Sequence, residues 1–312
     1  MGLFVARFEA GETEFNPSVV VQRLSDSVFA LASNYKTAVL HEVLRQADAG
    51  RLNLDERFVV TSANQSLGAY PYDNTPISDL ALRMIQWSDN TATDMLHRRV
   101  GLGSLQPRAD GLKLCQTRLL LPTKAWWAAE AGLGGPDFPK DALVKATRRF
   151  AQASAAERLS IATRLDHQAR QHRPDQISRN LDRYFERTTD WGRSAQIDRN
   201  LQNASTPLEW AKYLWHAFNR SGLSTASQTE FRRIMAKGFG SRLINGKPAY
   251  AAGKSGNTAG VLGFSGYLEA EDGSRYVYVL LSDEIPAIYT LDRYRVAFKV
   301  INKALGLLGL GQ

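Results

Sequence analysis

Ala32-Ser33-Asn34-Tyr35-Lys36-Thr37-Ala38-Val39-Leu40 is the stretch on which the reading of this chain turns. It follows a β-like segment, Val19 to Leu31, and opens a helical pattern. In that pattern Val39, Leu40, Val43, Leu44 and Ala47 recur near helical spacing, and Gly50 stands where a C-terminal cap belongs. Ser33 and Lys36 are three residues apart and share a face of the helix. A serine at the positive end of a helix is placed to be a nucleophile. A lysine beside it takes the hydroxyl proton if burial or neighbouring cations keep its amine neutral. Taken alone, the pattern reads better as an N-cap serine followed by a solvated lysine. Two later triplets reverse that preference.

The 312 residues are 44% hydrophobic and 22% charged, ordinary globular composition with length for one large domain or two lobes. The formal net charge of +8 raises the question of an acidic partner. No run of five or six like charges and no zinc-finger or RNP-like pattern accompanies it, so nucleic acid is not an expected partner. The single cysteine, Cys115, allows no internal disulfide, and Leu112, Leu114 and Leu119 around it suggest a core thiol. No stretch is apolar enough to span a membrane, and Met1 to Ala10 does not read as a signal peptide. His167 and His172 lack a carboxylate or cysteine at ligand spacing, so neither a metal nor a cofactor is expected.

Along the chain, Leu3 to Glu9 reads as a strand, Val19 to Leu31 as a second, and Ser33 onward as a helix. Helices are expected from Ser78 to Trp87 and from Thr91 to Val100, the latter stopped by Gly101. Residues 123–200 are helical and rich in arginine; between Lys140 and Asn200 there are 13 Lys and Arg against 8 Asp and Glu. Because the acids are interspersed, this reads as a solvated face. Ser154 with Glu157 and Thr206 with Glu209 are expected capping boxes. After a helix from about Ser227 to Lys237, the periodicity changes to strands: Tyr250 to Asn257, Val261 to Ala270 and Arg275 to Ser282, with a turn at Glu271-Asp272-Gly273. A last amphipathic helix carries Leu291 to Leu308. Strands at both chain ends and helices between them imply an α+β fold. An antiparallel sheet lobe is expected from residues 1–32 and 224–312, with an inserted all-helical lobe at 33–223.

Ser88-Asp89-Asn90 falls in a helix-to-helix connection and Lys254-Ser255-Gly256 on a strand. Alone, the first is a turn and the second an edge strand guarded by a lysine. Together and in order, the three motifs resemble the penicillin-recognising serine hydrolases, most nearly class A β-lactamases. Ala49-Gly50-Arg51-Leu52-Asn53-Leu54, the text from Met84 to Asp94, and Ser205-Thr206-Pro207 extend the resemblance to roughly residues 3–105 and 204–305. It implies one β-lactamase-like catalytic domain, 1–312, acting on a small-molecule substrate as a monomer without cofactor, periplasmic or secreted. Ser33 would be the nucleophile, Lys36 its base and Ser88 the proton relay to the leaving nitrogen. Asn90 would orient Lys36 and the substrate. Lys254 with the Ser255 hydroxyl would hold a substrate carboxylate, and Gly256 and Asn257 on the same strand would also line the substrate. The N–H groups of Ser33 and Asn257 would form the oxyanion hole, and Tyr70 or Tyr72 would wall the cleft.

Three departures stand out. The third motif is Lys-Ser-Gly in place of Lys-Thr-Gly. The interval between the second and third motifs is longer than in the family, with the excess at about 123–200. The family's Glu-x-x-Leu-Asn, whose glutamate drives deacylation, is missing. Asp198, in Asp198-Arg199-Asn200-Leu201-Gln202, is its nearest stand-in, with Glu186 and Asp190 as rivals. The expectation is therefore an acyl-enzyme hydrolase acting on β-lactams with slow deacylation. The alternatives are a D-Ala-D-Ala carboxypeptidase or small-ester hydrolase, and a non-catalytic β-lactam sensor.

Overall fold

The computed structural model describes residues 1–68, 70, 73–186, 190–283 and 291–311, without the side chains of Phe185, Glu186, Ser241 and Leu291. Five antiparallel strands form the main sheet, in the order β2-β1-β9-β8-β7. They are β1 (Gly2–Phe8), β2 (Val19–Arg23), β7 (Tyr250–Asn257), β8 (Leu262–Glu269) and β9 (Arg275–Ser282). Two short strand pairings, β3 (Phe29–Ala30) with β6 (Ala204–Ser205) and β4 (Arg57–Phe58) with β5 (Thr75–Pro76), lie outside it. The central strand β9, Arg-Tyr-Val-Tyr-Val-Leu-Leu-Ser, is nearly all β-branched, aromatic or aliphatic because both faces are covered. Tyr276, Tyr278 and Leu280 turn to one core, with Leu3, Val5 and the helix α12 (Leu291–Leu307). Val277, Val279 and Leu281 turn to the other, with Phe4, Phe8 and the helix α10 (Pro207–Asn219). There Trp215 stacks on Phe8 at 3.7 Å and Phe218 on Tyr267 at 4.4 Å.

The expected second strand is broken in two. Leu24 has φ 45, Ser27 N–H bonds the Leu24 carbonyl, and the chain leaves the sheet before β3 pairs with β6. A left-handed leucine costs energy and ends regular pairing. This detour sets the position of Ser33, since Leu31 N–H bonds Asn203 O at 2.8 Å just after β6's partner strand.

The remaining helices are α1 (Lys36–Asp48), α2 (Ile77–Gln86), α3 (Asn90–Val100), α4 (Gln106–Gly111) and α5 (Thr123–Glu130), followed by α6 (Leu143–Gln152), α7 (Ala155–Arg170), α8 (Pro174–Glu186), α9 (Trp191–Leu201) and α11 (Thr225–Met235). Gly50 (φ 66) and Gly101 (φ 97) end α1 and α3 as their left-handed freedom allows. In the arginine-rich stretch the apolar residues Phe150, Ile161, Leu165 and Ile177 pack inward, while Arg148, Arg164, Arg170 and Arg179 face solvent. Ser154 Oγ accepts from Glu157 N, as a cap should. At α10 only half of the expected capping box forms. Thr206 Oγ1 accepts from Glu209 N, but the Glu209 carboxylate turns away to the Gln116 N–H and the Thr117 hydroxyl. Cys115 is not a core thiol: it is exposed. Lys113 has φ 58, and the turn after α4 buries Leu114 and swings Cys115 outward.

Candidate active site

The nucleophile motif does not begin as an α-helix. Ala32–Tyr35 forms a 3₁₀ turn and α1 starts at Lys36. In a 3₁₀ turn residues i and i+3 eclipse, which sets Ser33 and Lys36 on one side. Ala32 has φ 43 and Ser88 has φ 56. Left-handed conformations at non-glycine residues cost about 1–3 kcal/mol each and survive where packing over-determines them; here one precedes the nucleophile motif's serine and the other opens the Ser-Asp-Asn triplet.

Packing holds the turn against β7. A Cβ on Gly256 would meet the Leu31 carbonyl oxygen and lie 2.6 Å from Asn34 Nδ2 and 2.8 Å from Asn34 N. Only glycine lets the strand approach so closely. Asn34 is fully buried and ties the turn to the sheet: its Oδ1 accepts from Ser265 Oγ at 2.8 Å, and its Nδ2 donates to Leu31 O at 3.0 Å. Ser265 Oγ in turn accepts from Trp210 Nε1 at 3.2 Å, so α10 supports the turn through β8.

Lys36 is fully buried, and Nζ donates to the Ser88 carbonyl at 2.7 Å and to Asn90 Oδ1 at 2.7 Å; Ser88 Oγ lies at 3.2 Å. Burial lowers its pKa to about 7, against the opposing pull of Asp94 and Asp89. A neutral amine has two hydrogens and one lone pair. The two short bonds use both hydrogens and leave the lone pair for a hydroxyl. Lys254 Nζ donates to Ser88 Oγ at 2.9 Å and to Ser255 O at 2.8 Å, so the Ser88 hydroxyl lies between the two lysines. Burial, then Lys36, hold Lys254 well below its ordinary value. The Lys36 charge thus makes Lys254 easier to deprotonate.

Asp89 caps α3, its Oδ1 accepting from Ala92 N at 2.9 Å, while Oδ2 takes Arg83 at 3.2 Å. Asn90 Nδ2 donates to Leu67 O at 3.1 Å. Beside Ser88 and Asn90 lies an opening of about 460 Å³ lined also by Leu67, Gly68, Arg83 and Trp87. Tyr70 is 53% exposed and contributes its carbonyl to Arg83; Tyr72 lies outside the described residues. Asn257 ends β7, with Nδ2 donating to the Tyr294 hydroxyl at 2.5 Å.

Of the three acids considered as a second base, Asp190 caps α9, accepting from Arg193 N at 2.9 Å. The Glu186 side chain lies outside the described residues. Asp198 is 4% exposed and faces Glu130, also 4% exposed, which the sequence reading did not single out. Gln202 Nε2 bonds both carboxyls, at 2.6 Å to Asp198 and 3.3 Å to Glu130. Burial, then Asp198, raise Glu130 well above its ordinary value, so it keeps its proton and donates it to Asp198. Burial moves Asp198 up to about 6. The sequence signal for Glu130 was its place at the end of an apolar run, Ala125 to Ala129, on α5. Asp94 was also passed over. It is fully buried and accepts from the N–H groups of Thr123 and Lys124, joining α3 to α5 behind Lys36.

Two lysines from distant parts of the chain converge on the half-buried Ser88 hydroxyl, and the family model described as "Beta-lactamase enzyme family" matches residues 8–303. The chain belongs to the β-lactamase enzyme family. Its fold is that of class A β-lactamases and of PBP-A, and it is a serine hydrolase of that type. A PBP-A mutant solved as an acyl-enzyme with penicillin G has TM-score 0.62 at 19% identity, covering 98% of this chain and 89% of that one. The β-lactamase from Sphaerobacter thermophilus gives 0.63 at 18%, covering 97% and 90%. An ancestral class A β-lactamase gives 0.62 at 15%, covering 98% and 94%. No curated protein sequence matches.

Proposed function

We propose that this β-lactamase-family protein hydrolyses β-lactams through an acyl-enzyme on Ser33, with fast acylation and slow deacylation. Lys36 takes the Ser33 proton as the hydroxyl oxygen attacks the lactam carbonyl. Ser88 passes a proton to the departing nitrogen, and Lys254 with Ser255 holds the substrate carboxylate. Asn90 orients the Lys36 amine and the substrate amide. The Ser33 and Asn257 N–H groups take the developing oxyanion, an interaction typically worth ~10²–10³ in rate per donor. The observation that carries the acylation half is the Lys36 amine, buried, poised at about 7 and with both hydrogens engaged.

The deacylation half rests on Asp198. Hydrolysis needs a base that activates water against the ester. Here Asp198 is buried, bonded by Gln202 and paired with a protonated Glu130. A displacement of even ~1 Å costs a base ~10²-fold, and the pair leaves Asp198 little freedom to approach. The same burial favours, as a second reading, a penicillin-binding peptidase that stays acylated by β-lactams. Rapid-mixing kinetics with nitrocefin test the proposal. The expected trace is a burst near one equivalent followed by a low steady rate, and Asp198→Asn lengthens the acyl-enzyme lifetime. Efficient turnover without a burst refutes slow deacylation, and a burst with no steady rate favours the second reading.

A further inference from the structure

The net positive charge of the chain draws attention to the arginine-rich middle, where acids are interspersed among the cations, but a groove whose charged lining is purely cationic lies elsewhere. Between the 236–245 segment and α12 runs a groove of about 1080 Å³. Lys237, Arg242, Arg295, Lys299 and Lys303 line it, and among the described residues no acidic one does. Among the described residues, only Arg295 of these five has an ion-pair partner, Asp292 at 3.5 Å. Arg295, Lys299 and Lys303 are four residues apart and form one row along the helix.

Apolar side chains stand out beside the cations. Phe239 is 37% exposed, Leu243 42%, Val296 60% and Leu307 68%. Val296 and Leu307 fall on the same outer strip of α12 as Lys299 and Lys303, because 3.6 residues per turn bring positions 296, 299, 303 and 307 to one side. A row of lysine and arginine with large aliphatic and aromatic side chains among them has the chemistry of a surface that lies in the head-group region of a bilayer. Water alone offers nothing to Val296 and Leu307, and a soluble polyanion offers nothing to Leu243.

We propose that this face, the 237–243 segment with the outer strip of α12, docks the protein on a membrane surface rich in anionic phospholipid. The cations meet the phosphates, and Phe239, Leu243, Val296 and Leu307 enter the interface. The groove is next to the site: Gln86 lines it two residues before Ser88, and Tyr294 bonds Asn257. Docking therefore sets the strand that carries Lys254 near the lipid boundary.

The test is co-sedimentation of the full chain with phosphatidylcholine vesicles with and without phosphatidylglycerol. Binding is expected only with phosphatidylglycerol and weakens with salt. Each lysine or arginine at an anionic leaflet contributes about five-fold in partitioning. Combined Arg242→Glu, Lys299→Glu and Lys303→Glu should therefore lower it by more than ~100-fold. Combined Leu243→Ser and Val296→Ser should weaken binding while leaving all charges in place. A control set with the same change in net charge, Arg148→Glu, Arg170→Glu and Arg183→Glu on the helical lobe, should bind almost as wild type. Thermal unfolding of each variant verifies the fold. Equal loss in the control set overturns the proposal, since net charge alone would then drive binding. So does no vesicle binding at all, or tighter retention on soluble polyphosphate or DNA than on vesicles with no effect of the two serine substitutions.

Discussion

Lys36 as the base for acylation predicts a specific pH limb. The amine must be neutral to accept the Ser33 proton, and burial sets its pKa at about 7. The neutral fraction then rises from ~0.1 at pH 6 to ~0.9 at pH 8, so the acylation rate constant should climb ~10-fold across that interval and level off above it. Asp89 supplies a second handle. Its charge raises the Lys36 pKa, and its side chain caps α3. Asparagine caps a helix as well as aspartate does, so Asp89→Asn removes the charge and keeps the cap. With less negative charge nearby, the protonated lysine loses support and the limb should move to lower pH. Lys36→Ala should lower acylation by the ~10²–10⁴ of a lost general base and abolish the limb. Stopped-flow acylation by nitrocefin, with the burst amplitude as an active-site count, measures the wild type and both variants. A limb near the ordinary lysine value, or an Asp89→Asn limb shifted upward, would refute the electrostatic reasoning.

Two further outcomes follow from the packing and the buried acids. Gly256→Ala should lose stability by about 1–3 kcal/mol, the usual cost of overpacking, and should lose acylation disproportionately because the Cβ pushes on Leu31 and Asn34 beside Ser33; urea melts with burst amplitudes measure both, and a fully active, fully stable variant would sink the close-approach argument. Glu130 and Asp198 have raised folded pKa values, so the stability they contribute is complete below their unfolded values near 4 and is lost as pH rises through about 6 and beyond. Glu130→Gln should flatten that decline in melting temperature between roughly pH 4.5 and pH 8, and superimposable profiles would show that the pair does not share a proton.

Periodicity exposed most elements because their faces are simple. β7 and β9 stand where alternating and β-branched runs placed them, and α12 follows its apolar stripe. The antiparallel sheet built from both chain ends was legible for the same reason. The break at Leu24 was not, because nothing local in Val19 to Leu31 announces a left-handed leucine; the pairing of β3 with the distant β6 imposes it. Glu209 likewise met a better partner in Gln116 and Thr117 than its own helix end offered. At the site, Ser33, Lys36, Ser88 and Lys254 were readable as motifs because each sits in short, ordered text. The partners that tune them, Asp94 behind Lys36 and Glu130 against Asp198, act through burial. Burial of a charged residue is a tertiary fact, so an aspartate on a helix or a glutamate ending an apolar run looks like ordinary surface until the elements pack.

The nucleophile itself is the central claim. Intact-protein mass spectrometry after brief exposure to penicillin should show wild-type protein heavier by one penicillin, and peptide mapping should place the adduct on Ser33. The Ser33→Ala protein should show no adduct under the same conditions. An adduct that persists in Ser33→Ala, or one that maps to another residue of the wild type, would contradict the account.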